Sequence, residues 1–220
     1  MVVISVQARM GSTRLPGKVL LQLGKKRVIE HVIDRASGAT LADNVVLTTG
    51  DRAPNDAIRE WGRRATIHCE TGPEEDLLER HRRVGDATGS DVLVRLTGDC
   101  PFVPTDEIDR VIEVHRSNDA RYTTNVTEAM PIGTAVDVLN ADVLAELSEL
   151  DETHPVKRLR SNPSTWGMET TTVDPWTQFD DVHMAVDTPA DYWRLLDAVE
   201  EVGDTPEAVV RHLAESESER

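Results

Sequence analysis

Arg9, Arg14 and Lys18 stand in the run Gln7-Ala8-Arg9-Met10-Gly11-Ser12-Thr13-Arg14-Leu15-Pro16-Gly17-Lys18, directly after the β-branched stretch Val2 to Val6. Cations on glycine-bearing backbone at the end of a strand suit a polyanion. The glycines let backbone N–H groups approach it, and the cations supply opposite charge, so a triphosphate is the natural ligand. The spacing is not that of a P-loop: Gly11 and Gly17 enclose five residues, and Val19 follows Lys18 where Ser or Thr would be required. A G-x-G-x-x-G dinucleotide fingerprint is absent as well.

Two carboxylates from distant parts of the chain complete the chemistry. Asp99 lies in Leu96-Thr97-Gly98-Asp99-Cys100-Pro101, after the apolar run that ends at Leu96. Its position suits either a ligand in the crevice or an Asx-turn and helix cap. Asp187 lies in Ala185-Val186-Asp187-Thr188-Pro189, where we expect it to end a short strand, with Thr188 as N-cap and Pro189 as first helical residue. Together the two carboxylates could hold Mg²⁺, which takes one or two carboxylates and completes its shell with phosphate oxygens and water. The general base stays open between a metal-activated hydroxyl, Asp99 and Asp187. His154, in Asp151-Glu152-Thr153-His154-Pro155, is the histidine to watch, though packing or capping explains it better. No H-E-x-x-H or Cys/His spacing points to zinc.

These residues need a frame. Strand-like runs at Val2 to Val6, Asn44 to Thr49, Ala65 to Cys69 and Asp91 to Leu96 alternate with helical patterns. Val28, Ile29, Val32, Ile33 and Ala36 share one helical face, as do Ile108, Val111, Ile112 and His115, and later Tyr192, Leu195, Leu196, Val199 and Val202. Alternation of this kind predicts an α/β fold: a three-layer α/β/α sandwich with a mostly parallel central sheet. Ligands of such sheets collect beyond the carboxyl ends of the strands. We expect a single domain over residues 1–214, an irregular arm or insertion at about 122–176 that covers the sheet's active edge, and a polar tail at 215–220. Trp166 and Trp176, within or bounding that arm, suit core or subunit packing better than ligand stacking.

Composition narrows the setting. The chain has 220 residues and a formal net charge of -16, with 40 acidic against 24 basic side chains. That balance disfavours a nucleic-acid surface. An acidic, lysine-poor surface suits a protein kept soluble in concentrated salt, where repulsion is screened within a few ångströms, and we expect a halophilic source. No apolar run reaches membrane-spanning length and no signal-peptide pattern opens the chain, which predicts a cytoplasmic protein without membrane contact. Cys69 and Cys100 form no CxxC pair and are expected as free thiols.

The opening run, extended to Val19-Leu20, resembles the first motif of cytidylyltransferases acting on acidic sugars, most closely the spore-coat polysaccharide type. Its core, A-R-x-x-S-T-R-L-P-G-K, is shared with the 3-deoxy-manno-octulosonate cytidylyltransferases, which are related to the acylneuraminate enzymes. The resemblance continues through Gly72-Pro73-Glu74-Glu75-Asp76-Leu77-Leu78, Thr97-Gly98-Asp99-Cys100-Pro101, Pro131-Ile132-Gly133-Thr134-Ala135-Val136-Asp137 and Val186-Asp187-Thr188-Pro189. It spans nearly the whole chain in order.

That resemblance implies a nucleotide-diphospho-sugar transferase (Rossmann-like) fold and a Mg²⁺-dependent reaction of CTP with a sugar, giving CMP-sugar and pyrophosphate for surface polysaccharide or glycan synthesis. Carried over by motif position, Arg9, Arg14 and Lys18 hold the triphosphate and Asp99 and Asp187 bind the metal. Ala8, Gly11, Ser12, Thr97 and Gly98 contribute to nucleotide binding. Gly72 and Asp76 lie near base or ribose, the Pro131 to Asp137 segment faces the acceptor, and the protein is a homodimer. Pro73 stands where serine is common, and the Trp166 to Trp176 loop is unusual, so the acceptor's identity is not carried over. Two other readings remain: a different nucleotidyltransferase or a glycosyltransferase of the same fold, and a non-catalytic nucleotide-binding subunit. Absence of a D-x-D motif near Asp99 weighs against the glycosyltransferase, and retention of Asp99, Asp187 and Lys18 against the idle subunit.

Overall fold

The computed structural model describes residues 1–127, 129–171 and 176–218. In chain order the elements are β1 (Val2–Gln7), β2 (Gln22–Leu23), β3 (Lys26–Arg27), α1 (Val28–Gly38), β4 (Asn44–Gly50), α2 (Asp56–Arg64), β5 (His68–Gly72) and α3 (Leu77–Thr88). They continue with β6 (Val92–Thr97), α4 (Thr105–Ser117), β7 (Tyr122–Thr124), β8 (Asp137–Asn140), α5 (Ala141–Glu149), α6 (Lys157–Ser161), β9 (Met168–Thr170), α7 (Pro189–Val202) and α8 (Pro206–Ser218). Among the described residues no helix is long and apolar enough to cross a membrane.

The main sheet has seven strands in the order β5-β4-β1-β6-β8-β7-β9. The β5-β4-β1-β6 half is parallel, β8 runs antiparallel to both β6 and β7, and β9 is parallel to β7. The fold is therefore α/β with a mixed, mostly parallel sheet, as the alternation of patterns predicted.

Strand alternation sorts the core. Val2, Ile4 and Val6 of β1 pack with Ile29, Val32 and Ile33 of α1, Ile58 of α2 and Ile108, Val111 and Ile112 of α4. Val3, on the opposite side of the same strand, packs with Leu78 and Val84 of α3 and Val143, Leu144 and Leu147 of α5. Both faces of the sheet are thus covered by helices, the condition for near-continuous apolar runs in parallel strands. A third cluster joins Leu195 and Val199 of α7 to Val209, Val210 and Leu213 of α8. Val202, placed on the same face by periodicity, is exposed.

Three expectations shift. The strand read at Ala65 to Cys69 begins at His68, because α2 closes there: Ala65 N–H donates to Trp61 O, Ile67 N–H to Gly62 O, and Thr66 turns through φ 59°. Residues 122–176, read as an arm over the sheet, supply β7, β8 and β9 and so extend the sheet itself. The tail read from Glu215 remains helical to Ser218.

Trp166 is buried in the α3/α5 cluster with Arg121 6.0 Å above its ring, and Trp176 is buried with α7 and α8. Part of the loop between these tryptophans, residues 172–175, lies outside the described residues. Cys69 and Cys100 are both free thiols.

Candidate active site

Strand order reverses between β1 and β6. β1 connects outward to β4 and β5 on one side, while β6 lies on its other side, so the crevice beyond their carboxyl ends is the switch point of the sheet. The two strand ends are drawn together there. Gly98 N–H donates to Gln7 O at 2.8 Å, and a Cβ on Gly98 would lie 2.9 Å from that carbonyl oxygen, which only glycine permits.

The loop after β1 folds on itself. Met10 O accepts from both Ser12 N–H and Gly17 N–H, and Ser12 Oγ accepts from Leu15 N–H. Gly17, at φ 73°, turns the chain into a short helical turn at Lys18–Leu20. Lys18 thereby points inward, its side chain only 9% exposed.

Its ammonium bridges the two carboxylates. Lys18 Nζ lies 2.5 Å from Asp99 Oδ2 and 3.0 Å from Asp187 Oδ1, and Arg14 Nη2 lies 2.9 Å from the same Asp187 oxygen. Burial pushes the Lys18 pKa down, but Asp99 and Asp187 outweigh it and the net shift is upward. His183 Nε2 stands 3.5 Å from Asp187 Oδ2.

Asp187 reaches this point by a route other than the expected strand. Residues 182–186 form no strand and pair through an isolated bridge, Ile132 with His183. Val186 N–H donates to Asp99 O at 2.9 Å, so the backbone couples the two acidic residues directly. Thr188 then N-caps α7 with Pro189 as first helical residue, as expected, and the structure adds a capping box with Asp191.

A cavity of about 430 Å³ opens above these groups. Of the residues singled out in sequence, Ala8, Arg9, Ser12, Arg14, Lys18, Asp99, Asp187 and His154 line it. Gly11, Gly72, Asp76, Thr97 and Gly98 are not in its wall. Asp76 instead N-caps α3, accepting from Glu79 N–H at 2.8 Å, and Thr97 Oγ1 bonds Cys100 Sγ. Gly72 and Gly98 act by leaving room for neighbours, whereas a Cβ on Gly11 would meet only Glu74 Oε1, at an ordinary 3.5 Å.

The wall also holds Gln7, Thr13, Glu74, Glu75 and Thr153, which stand in stretches quoted from the sequence without being chosen as site residues, and Arg80, which none of those stretches contains. Arg80 in particular sits within a charged helical stretch, Glu79-Arg80-His81-Arg82-Arg83, that reads as solvated surface.

Beside the cavity runs a buried polar chain. Ser5 Oγ bonds His81 Nδ1 (2.8 Å), Gln7 Oε1 accepts from His81 Nε2 (3.0 Å) and Arg95 Nε (2.9 Å), and Arg95 Nη1 reaches Asp137 Oδ2 (2.7 Å). Asp137 is fully buried and also takes Arg160 Nη2 and the Tyr122 hydroxyl, each at 2.7 Å on Oδ1. Burial raises the Asp137 pKa but the two arginines outweigh it, holding the carboxylate ionised. The carboxylate expected to face an acceptor is therefore enclosed in an ion cluster.

His154 accepts from Val156 N–H through Nδ1 at 3.4 Å, a capping contact, while still bordering the cavity. Burial, with Arg95 and Arg160 nearby, lowers its pKa to about 4.

Asp99 and Asp187 fit a divalent cation by the chemistry of the donor set, since both already direct oxygens at one shared positive charge. No group of three or more His, Cys, Asp or Glu able to hold a metal occurs among the described residues. A cation held here takes two carboxylates and must complete its shell with ligand oxygens and water, which is the habit of Mg²⁺.

The geometry can be compared with known proteins. A family model described as "Cytidylyltransferase" matches residues 2–213. The spore coat polysaccharide biosynthesis protein SpsF of Bacillus subtilis is 28% identical over 218 residues, covering 94% of this chain and 90% of that protein. A cytidylyltransferase structure from Leptospira borgpetersenii superposes with a TM-score of 0.90 at 23% identity, covering 99% of this chain and 95% of that one. The structure of CMP:2-keto-3-deoxy-manno-octonic acid synthetase complexed with CTP superposes with a TM-score of 0.71 at 21% identity, over 91% of this chain and 98% of its own.

Proposed function

Since this chain belongs to the cytidylyltransferase family, we propose that it transfers CMP from CTP to a sugar, a sugar acid in the first instance, with release of pyrophosphate. The product would feed surface polysaccharide or glycan synthesis. The observation that carries the reading is the convergence of Lys18, Arg14, Asp99 and Asp187 at the sheet's switch point, inside a cavity large enough for a nucleotide.

Attack of a sugar oxygen on the α-phosphorus builds negative charge on the phosphoryl oxygens and on the departing pyrophosphate. Lys18, Arg14 and Arg9 border the space where those oxygens would lie. Charges fixed before the reaction lower such a barrier without reorganising during it. Asp99 and Asp187 would hold Mg²⁺, which when bound neutralises phosphate charge and orients the triphosphate. Ser12, Thr13 and the backbone of the opening loop border the same wall and would orient the nucleotide.

The acceptor would enter beside Gln7, Thr153 and His154. Gln7 Oε1 is occupied by His81 and Arg95, so its amide N–H groups are the ones left for a ligand. The family resemblance extends the proposal to a homodimer acting in the cytoplasm.

The test is pyrophosphate release from the full chain with Mg²⁺, each of the four nucleoside triphosphates in turn, and a panel of sugar acids and sugar phosphates, at low and molar salt. Acceptor-dependent release with CTP is expected, and chelation of the divalent cation should abolish it. Release only with another triphosphate, or binding without release, would overturn the reading.

A further inference from the structure

Two carboxylates and two cations close on one another beyond the carboxyl ends of β1 and β6. Asp99 offers Oδ2 to Lys18, and Asp187 offers Oδ1 to both Lys18 and Arg14. The remaining carboxylate oxygens have other neighbours: Asp99 Oδ1 lies 3.8 Å from Cys100 Sγ, and Asp187 Oδ2 lies 3.5 Å from His183 Nε2. The oxygens that converge, and that a divalent cation would need, are therefore the ones already taken by Lys18 and Arg14.

One half of this cluster is fixed and the other can move. Val186 N–H donates to Asp99 O at 2.9 Å, and Thr188 caps α7 directly after Asp187, so the backbone of both acidic residues is held in place. Lys18 and Arg14 reach them on long stems from the opening loop, and Arg14 is 60% exposed. Both cations also line the cavity. A lysine ammonium is a point charge with rotatable donors, able to exchange one anion for another without the planar match that a guanidinium requires.

Charge decides which exchange occurs. A divalent cation entering beside Lys18 and Arg14 would meet two positive charges in a partly buried site, where repulsion is stronger than in water. A triphosphate instead brings several negative charges and draws both side chains toward its own oxygens. Departure of Lys18 and Arg14 leaves Asp99 and Asp187 as neighbouring carboxylates without a counterion, and a divalent cation then restores the balance. Resting on the reading of the cavity as a nucleoside triphosphate site, we propose that Lys18 and Arg14 are an internal counterion: they keep a divalent cation off Asp99 and Asp187 in the ligand-free protein and release that site when a triphosphate binds.

This exchange sets an order of binding. The cation enters with the triphosphate or after it, and each ligand strengthens the other by the same factor, as linkage requires. Lys18 thereby has two stations, one on the carboxylates and one on phosphate. Direct contact between cation and phosphate would also couple the two ligands, so the discriminating measurement is made without nucleotide.

The experiment is calorimetric titration of the full chain with Mn²⁺, free of nucleotide, for wild type, Lys18→Met, Arg14→Gln and Lys25→Met, with thermal melts in Mg²⁺ on the same preparations. Lys25 is exposed in the turn between β2 and β3, outside the cavity wall, and its loss changes the net charge by the same amount. Wild type and Lys25→Met should bind Mn²⁺ weakly and to the same extent. Lys18→Met should bind it at least tenfold more tightly and gain melting temperature from Mg²⁺ alone. Arg14→Gln, which relieves only Asp187, should tighten binding by a smaller factor. Titration of wild type with CTP, in chelator and in Mg²⁺, completes the set and should show binding that Mg²⁺ strengthens.

If wild type binds CTP yet takes Mn²⁺ alone as tightly as Lys18→Met does, the inference fails and the triphosphate reading survives. Equal tightening in Lys18→Met and Lys25→Met assigns the effect to net charge and overturns the inference as well. Failure of wild type to bind CTP under either condition overturns the reading of the cavity itself. Should Lys18→Met fail to fold, the exposed Arg14 still decides the matter, because unchanged Mn²⁺ affinity in Arg14→Gln would contradict the exchange.

Discussion

The Lys18 ammonium lies 3.0 Å from Asp187, a partner 169 residues away in sequence, and it touches Asp99 at the same time. Charges from the first loop, the end of β6 and the approach to α7 thus meet at one point. That point makes the arrangement testable group by group.

Lys18→Ala should lower pyrophosphate release by roughly a hundredfold, the size expected when one preorganised contact of about 3 kcal/mol to developing charge is lost. Asp99 and Asp187 keep access to solvent, so the fold should tolerate the change. Steady-state rates and a thermal melt on the same preparation separate the two effects; unchanged turnover would remove Lys18 from the triphosphate site.

Gly98→Ala should damage both stability and turnover. The added methyl meets the Gln7 carbonyl oxygen at 2.9 Å and Ala8 Cβ at 3.1 Å, and neither belongs to a flexible side chain that can swing away. Overpacking of this kind costs about 1–3 kcal/mol, and the displacement falls on the strand end that carries Asp99. A lowered melting temperature together with weakened nucleotide binding is expected.

Asp137→Asn removes the carboxylate that lies between Arg95 and Arg160 in the cluster described above. Leaving the buried Arg95 and the partly exposed Arg160 without their partner costs about 3 kcal/mol, the low end for a broken buried pair. For a chain of this size that corresponds to a fall in melting temperature on the order of 10 °C. Calorimetry should show the loss even in the absence of ligand, in contrast to Lys18→Ala.

Acid should destabilise the protein well before its carboxylates titrate. His154 is held near pKa 4 by burial and by Arg95 and Arg160, and burial lowers His31, His81 and His115 too. A histidine whose pKa is lower folded than unfolded takes up its proton first in the unfolded chain, so its contribution is complete above about 6.5 and is lost as pH falls toward the folded value. Melting temperature should therefore hold above pH 7 and decline from about 6.5 toward 4, with a shallower decline in His154→Gln. The depressed Asp137 adds its own loss only at lower pH.

Melting temperature should also rise between low and molar potassium chloride. With a net charge of -16 the chain repels itself, and molar salt reduces the screening length to a few ångströms. A flat or falling curve would contradict salt adaptation.

Much of the frame is legible in the sequence because periodicity reports burial directly. The apolar face of α1, Val28 to Ala36, and the strands at β1, β4 and β6 appear where their patterns place them. The start of β5 is displaced because Ala65 to Ile67, apolar enough for a strand, is used to close α2. β7 and β9 are short, with three residues each, and too brief to show a period, so their addition to the sheet depends on pairing, β7 with β8 and β9 with β7.

For the site, Arg9, Arg14, Lys18, Asp99 and Asp187 stand out by residue type and by position after strands, properties local to the chain. Asp76, carried over by resemblance alone, is a helix cap, while Arg80, four residues on, borders the cavity. Local sequence cannot make that distinction, because capping, solvated and ligand-facing polar side chains look alike until a neighbouring strand fixes which side of the helix meets the crevice.

Residue type and short-range spacing suffice for the alternation of strand and helix, the cationic glycine loop and the two carboxylates. Only strand pairing and helix packing set Lys18 between Asp99 and Asp187, seal Asp137 between two arginines, and bring Arg80 into the cavity wall. Those relations join residues far apart in the chain. They arise only when strands pair and helices pack, which determines which charges share a space from which water is largely excluded.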